Sequence, residues 1–476
     1  MKIICESCRR EIETSSSAGN VKCPFCGRIC RGKSRNGAAQ DLVNKMAGAV
    51  GLDAIEGFSF SHLFSEVFRK HSEEEVEQHW AAGTFGNIPS IDKVNVSWPT
   101  PWVFVRFFLI TLIAYAILYF GWRQWHNPFL LPGLMLIGCF AVPASLVILF
   151  FEFNVRKNVS LYSVIKTFLI GGTLSLVFSL IMFRVTDQLG LGWLGKSTAG
   201  IAEEIGKLIA VIVFIQLARF PYILNGLLFG AVIGAGFAAF ESSGYAFIIF
   251  LAKYSQSLTG AVSAGASSSN AIDHGAVLMI NNVAMRGFLT CLAGHILWTG
   301  MSAAALFMVS AGRKFEWDFL FDFRFLRIFL VAVISHMVWN SPWDPQLITS
   351  YDKYFLIGII NWIVIFAIVQ KGLNQLREEK KLYASAPEKE PAVAEVIREQ
   401  QKYIAKSTQG AVSTSSRAVR APATVRTEEK RAEHRFADPV GIRENVERSR
   451  QKEEQRKEEK FSKRAWQKYY ENNKEE

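Results

Sequence analysis

Ala202-Glu203-Glu204-Ile205-Gly206-Lys207 lies inside an otherwise apolar run from Thr198 to Ala218. A run of that length is suited to cross a bilayer as a helix. Each charge at membrane depth costs roughly 2.5–3.5 kcal/mol even on insertion scales, so ionisable groups persist there mainly where they face a bundle interior and do chemistry or transport. One polar turn in one apolar run therefore points to an all-α, polytopic membrane helix bundle with a buried polar site.

Working outward, apolar runs of spanning length recur at about 103–120, 129–151, 164–183, 198–218, 223–250, 287–310, 325–341 and 354–371, which predicts about eight transmembrane helices. An even number places both ends of the chain on one side. The formal net charge is +11, and residues 1–35 and 372–476 each carry about +5 of it. Lys371, Arg377, Lys380 and Lys381 follow the last run, as expected of a cytoplasmic flank. The short loops agree only loosely with that orientation. Met1-Lys2-Ile3-Ile4 leads straight to Cys5 without an apolar stretch, so targeting is expected from the membrane helices rather than from a cleaved signal. No stripe of aromatic and basic residues supports nucleic-acid binding.

Cys5-Glu6-Ser7-Cys8 and Cys23-Pro24-Phe25-Cys26-Gly27 have the spacing of two zinc knuckles, so Cys5, Cys8, Cys23 and Cys26 are expected to hold a structural Zn ion in a small ribbon. Thiolate ligands need a reducing compartment, which puts the N-terminus in the cytoplasm. The expected domains are a zinc ribbon at 1–35, a linker with an amphipathic helix at 36–100, a transmembrane domain at 101–371, and a charged, mostly disordered cytoplasmic tail at 372–476. In the linker, Phe60, Leu63, Phe64, Val67 and Phe68 recur at helical spacing, suited to a helix that closes off the ribbon domain or lies on a membrane surface. The Ser-, Gly- and Ala-rich stretch from Ser255 to Ala276 reads as a long outer loop, either an inert linker or a flap over a site.

Four spans carry polar residues: Glu203, Glu204 and Lys207 in the fourth, Glu241 in the fifth, His295 in the sixth, and His336 with Asn340 in the seventh. At ~1.5 Å per residue, Glu203 and His336 lie about 8 Å, His295 about 12 Å and Glu241 about 14 Å below the outer ends of their runs. One slab in the outer half of the bilayer holds all of them, and no comparable ionisable group is expected in the inner half. Lys207 follows Glu204 by three residues and Glu203 by four, so its ammonium can reach either carboxylate. Glu203 and Glu204 differ by about 100° around the helix, so one is expected to act while the other orients or binds. Gly226, Gly230, Gly234 and Ala238 line one stripe of the fifth span, and Ala202, Gly206 and Ala210 one of the fourth, which predicts close packing of these two spans.

Two carboxylates and two histidines at one depth suit hydrolysis, either with a glutamate as base on water or with a metal-activated water; spacing leaves both open. The same groups would also serve a proton-coupled transporter as a relay, although a relay needs groups staggered through both leaflets. A silent scaffold that binds partners through its ends is a third reading.

Read in order, Glu203-Glu204-x-x-Lys207, Phe237-x-x-x-Glu241, the His295 segment with Arg286 and Gly300 around it, and His336-x-x-x-Asn340 resemble the motifs of the PrsW family of intramembrane proteases. That family is similar to the CAAX-processing and bacteriocin-processing membrane proteases. The resemblance covers roughly residues 100–371. It implies an integral protein of the bacterial plasma membrane that cleaves membrane-anchored protein substrates, in the best-known branch an anti-sigma factor. Glu204 or Glu203 would be the general base, tuned by the other carboxylate and Lys207; Glu241 and His295 would complete the pocket; His336 and Asn340 would stabilise the oxyanion. Asn340 stands where some members have Asp, which argues against a fully acidic metal cage. The ribbon and tail lie outside the resemblance and look like added parts for cytoplasmic protein partners.

Overall fold

The computed structural model describes residues 38–83, 88–218, 220–263, 269–292, 294–310, 313–343, 345 and 351–385, together with the backbone of four short strands before them. Strand β1 (Lys2–Ile4) pairs antiparallel with β2 (Glu11–Glu13), and β3 (Asn20–Lys22) with β4 (Ile29–Arg31). Each pair brackets one Cys-x-x-Cys, but Cys5, Cys8, Cys23 and Cys26 lie outside the described residues, as does the tail from residue 386.

Residues 1–83 and 95–375 form one compact unit. It opens with α1 (Ala38–Ala49) and α2 (Glu73–Trp80), the latter started by a capping box in which Ser72 and Glu75 satisfy each other's backbone amides. The membrane helices follow: α3 (Val103–Trp125), α4 (Leu131–Phe153), α5 (Leu161–Lys166) running through a π turn (Thr167–Gly171) into α6 (Gly172–Gln188), α7 (Thr198–Ala218), α8 (Ile223–Ser263), α9 (Ser269–Leu292), α10 (His295–Ser310), α11 (Phe323–Asn340) and α12 (Asp352–Ser385). Among the described residues, 7 helical stretches are long and apolar enough to cross a membrane. The 21-residue α7 is as long as a span needs but carries the three charges of its second and third turns. The fold is an all-α polytopic membrane bundle. A second unit, residues 84–94 and 376–476, includes the 3-10 turn Ile91–Lys93 and the end of α12, where Lys380 donates to the Val94 carbonyl at 3.0 Å.

Three expectations change. The stretch 255–276 is not a long loop: α8 continues through Ser263 and α9 begins at Ser269. Its polar side chains satisfy themselves on the helix, Ser255 on the Ala252 carbonyl at 3.1 Å and Thr259 on the Ser255 carbonyl at 2.9 Å, so polar composition does not end the helix. The sixth run, 287–310, is two helices, α9 and α10, broken before His295 at Gly294, a residue type that weakens a helix interior. The linker segment from Phe58 to Trp80 is not one amphipathic helix; a 3-10 turn (Phe60–Leu63) and further turns precede the separate α2.

The glycine stripes also pack differently from the expectation. Cβ atoms built on Gly226, Gly230 and Gly234 would meet α10, at the Phe307 side chain, the Thr299 carbonyl and the His295 carbonyl. One on Gly206 would meet Ser179 of α6, and one on Gly200 would meet Met337 of α11. The stripes thus face α10 and α6 instead of each other, and they set how near His295 and His336 come to the carboxylates. A Gly234→Ala change would bring its methyl 2.3 Å from the His295 carbonyl. It is expected to destabilise by about 1–3 kcal/mol through overpacking and to lower cleavage at least tenfold on the order expected for misplaced reacting groups. Thermal melting and peptidase assay of the variant check this, and unchanged cleavage would mean that His295 need not be held against α8.

Candidate active site

Glu203, Glu204 and Lys207 occupy the second and third turns of α7, all buried. Helix spacing sends Glu204 and Lys207 to one side, where Lys207 Nζ donates to Glu204 Oε1 at 2.6 Å. The close approach of α11 at Gly200 brings His336 to the same oxygen, with Nδ1 2.8 Å from Glu204 Oε1. A carboxylate oxygen only accepts, so His336 donates through Nδ1–H and its Nε2 lone pair is left facing inward. His295, the first residue of α10, has Nδ1 2.9 Å from Lys207 Nζ and Nε2 3.1 Å from Glu241 Oε2. Lysine donates, so Nδ1 accepts and Nε2 carries the proton toward Glu241.

These bonds leave two buried carboxylate oxygens without a hydrogen bond, Glu204 Oε2 and Glu203 Oε2, and the second of them is ringed by nitrogens. Glu203 Oε2 is buried and makes no hydrogen bond, yet His295 Nδ1 lies 3.6 Å, Lys207 Nζ 3.7 Å and His336 Nε2 3.8 Å from it. That is too far for direct bonding and near enough for one bound atom to touch Glu203 and a histidine together. Glu203, His295 and His336 offer ligand atoms within 4.8 Å of one another, a carboxylate-imidazole set of the kind that holds a divalent ion. The orphaned Glu203 oxygen fits such an ion.

The surroundings fix these groups. The Trp298 ring stacks on His336 at 4.3 Å between centroids and stands edge-on to His295 at 5.4 Å. Lys207 Nζ lies 4.5 Å above the Phe237 ring, a cation–π contact that compensates part of its burial. Glu241 is held from outside by Arg286 of α9 at 2.5 Å, whose Nε also donates to Ser242 Oγ at 2.9 Å. Trp298 and Ser242 gave no signal in the sequence, since an aromatic or a serine in an apolar run reads as ordinary packing. Asn340, the last residue of α11, lies one turn beyond His336 but makes no hydrogen bond to these side chains among the described residues.

The opposite end of the bundle differs from the sequence expectation, because buried ionisable groups stand there too. Glu152, near the end of α4, is a buried carboxylate there, accepting from the backbone amides of Trp102, Val103 and Phe104 at 2.8, 3.0 and 3.1 Å. Near it lie the buried Arg156, whose Nε donates to Tyr222 Oη at 3.3 Å, and Asn154, Asn158 and Asn225, bonded amide to amide. Three amides at a helix N-terminus satisfy Glu152. It serves as a cap on α3, and no chain of ionisable groups links it to the α7 site among the described residues.

Residues 157–369, which contain every membrane side chain of this site, match the family model described as PrsW family intramembrane metalloprotease. No curated protein and no solved structure matches the chain.

Proposed function

The chain carries a PrsW-family intramembrane protease domain at residues 157–369, and from that premise we propose that it cuts membrane-anchored protein substrates, such as an anti-sigma factor or similar regulator, with Glu203 as the base. The observation that carries this reading is the placing of Glu203 Oε2, buried and without a hydrogen bond, among three nitrogens 3.6–3.8 Å away. A water between Glu203 Oε2 and His336 Nε2 loses its proton to Glu203 and attacks the scissile carbonyl. Glu204 is assigned the orienting task, because its carboxylate binds Lys207 and His336 through Oε1. Lys207, beside Glu203 and His295, and Asn340, one turn beyond His336 on α11, are assigned the donation to the developing oxyanion. His336 Nε2 takes that proton from Glu203 and hands it to the leaving amine as the C–N bond breaks, which returns Glu203 to a carboxylate and His336 to its neutral form. Glu241 and Arg286 act on His295, keeping its ring turned into the pocket.

In the metal-dependent alternative Glu203, His295 and His336 would hold a divalent ion, with His295 Nδ1 released from Lys207, and the ion would supply a Lewis acid for activating water and polarising the carbonyl in place of Glu203 as base. The domain sits in a plasma membrane with both ends of the chain cytoplasmic. Comparing membrane proteomes of cells carrying the native chain or its Glu203→Gln variant tests the substrate class. An uncleaved single-span protein should accumulate with the variant, and identical proteomes would refute the reading.

Cys5, Cys8, Cys23 and Cys26 are proposed to bind one structural zinc. Cys23→Ser should strip that zinc, as measured by metal analysis of the purified protein, while cleavage of a short peptide substrate stays within about twofold. Loss of cleavage would make the ribbon part of the enzyme.

A further inference from the structure

The segment ahead of the first membrane helix is apolar on the outside. Phe60, Phe64 and Phe68 are 64%, 43% and 86% exposed, whereas Leu63 and Val67 between them are 5% and 2% exposed. A soluble surface has little reason to display three phenylalanines in a row on one face. This one is also held firmly. Arg106, in the first turn of α3, donates through Nε to the Val67 carbonyl at 2.7 Å and through Nη2 to the Arg69 carbonyl at 2.5 Å, so the residue between those carbonyls, Phe68, is fixed pointing outward. His71 stacks on Trp102 at 3.7 Å, and the Phe64 ring meets that of Phe104 at 6.2 Å.

Those contacts make the exposed face continuous with the outward face of α3. α3 presents Ile110, Ile113, Ile117 and Phe120 outward along its length, the surface of a helix that faces lipid. Phe64 and Phe68 extend this surface beyond the helix start, at the level where aromatic side chains settle in the headgroup region. Charge argues for apolar insertion over electrostatic adhesion. Arg69 is paired with Glu66 and Glu75, and Glu73, Glu74 and Glu77 follow, so the segment is acidic on balance and is not drawn to anionic lipid. Burial holds His79, one helix further on, at about 4, with Lys157 adding to the effect, so it brings no positive charge at neutral pH.

We infer that Phe60, Phe64 and Phe68 form a shallow anchor that inserts into the leaflet around the start of α3, independently of anionic headgroups. The protease site does not enter this inference. The full chain carrying a photoreactive benzophenone analogue of phenylalanine at position 68, or separately at position 60, is reconstituted in vesicles of zwitterionic phosphatidylcholine, irradiated, and weighed by intact mass spectrometry. The same analogue at Ile117 is the lipid-facing reference, and at Gln78, exposed on α2, the aqueous one. Lipid adducts at 68 and 60 within about twofold of the yield at Ile117, and unchanged when a third of the lipid is made anionic, are expected. A yield at both positions no higher than at Gln78, adducts to protein in place of lipid, or a yield that rises severalfold with anionic lipid would each overturn it. Should the position-68 protein fail to insert, the position-60 protein decides alone.

Discussion

Glu203→Gln is expected to lower kcat/KM for a membrane-anchored reporter by roughly 10²–10⁴-fold, the range for loss of a general base, with KM and thermal stability nearly unchanged. Glutamine keeps the shape of the side chain but cannot accept the proton of water. It also breaks no hydrogen bond, because Glu203 Oε2 makes none, and it gives up only contacts of 3.6–3.8 Å to Lys207, His295 and His336. That separates Glu203 from its neighbour. Glu204 Oε1 holds both Lys207 and His336, so Glu204→Gln is expected to lose activity together with stability. The measurement is a pair of purified variants in proteoliposomes, each assayed for cleavage of a single-span reporter and for its melting midpoint. If Glu203→Gln cleaves at the native rate, Glu203 is not the base and the proposed mechanism falls.

The positions of the site were legible in the sequence because charge inside an apolar run is conspicuous, and turn counting put Glu203, Glu241, His295 and His336 at similar depth. Helical spacing also gave the reach of Lys207 to both carboxylates, realised at 2.6 Å to Glu204 and 3.7 Å to Glu203. It could not say which carboxylate stays unbonded, since that depends on where α11 and α10 deliver their histidines. The glycine stripes illustrate the limit well. A row of small residues announces that a helix will be approached closely but does not name the neighbour, and α8 turned its row to α10 rather than to α7. The outer hairpin of α8 and α9 was hidden for a related reason. Serine and threonine signal a loop when counted, yet once helical they bond back to their own backbone, and Ser257 Oγ lies 3.0 Å from His274 Nδ1 across the hairpin. Trp298 carried no signal at all, because only the folded arrangement shows it lying flat on His336.

Lys207→Met is expected to be the most destabilising single change in the site, costing about 3–5 kcal/mol, the range for removing one partner of a buried ion pair. The side chain of Lys207 is 0% exposed, like that of Glu204, and methionine fills most of its volume, so the loss is electrostatic rather than a cavity. Glu204 would keep only its bond from His336 and remain a carboxylate in an apolar interior. His295 would lose the donor at Nδ1 that fixes its tautomer, freeing the ring to turn away from Glu241. Adding Glu204→Gln should therefore restore most of the lost stability, since replacing both partners of a buried pair by neutral groups is often close to neutral, while cleavage stays absent because neither histidine regains its orientation. Melting of the native protein, both single variants and the double variant in detergent gives the coupling between the two positions. Coupling well below ~1 kcal/mol would show that the pair contributes little to holding α7 together, and recovered cleavage in the double variant would show that His295 and His336 need no help from it to stay in place.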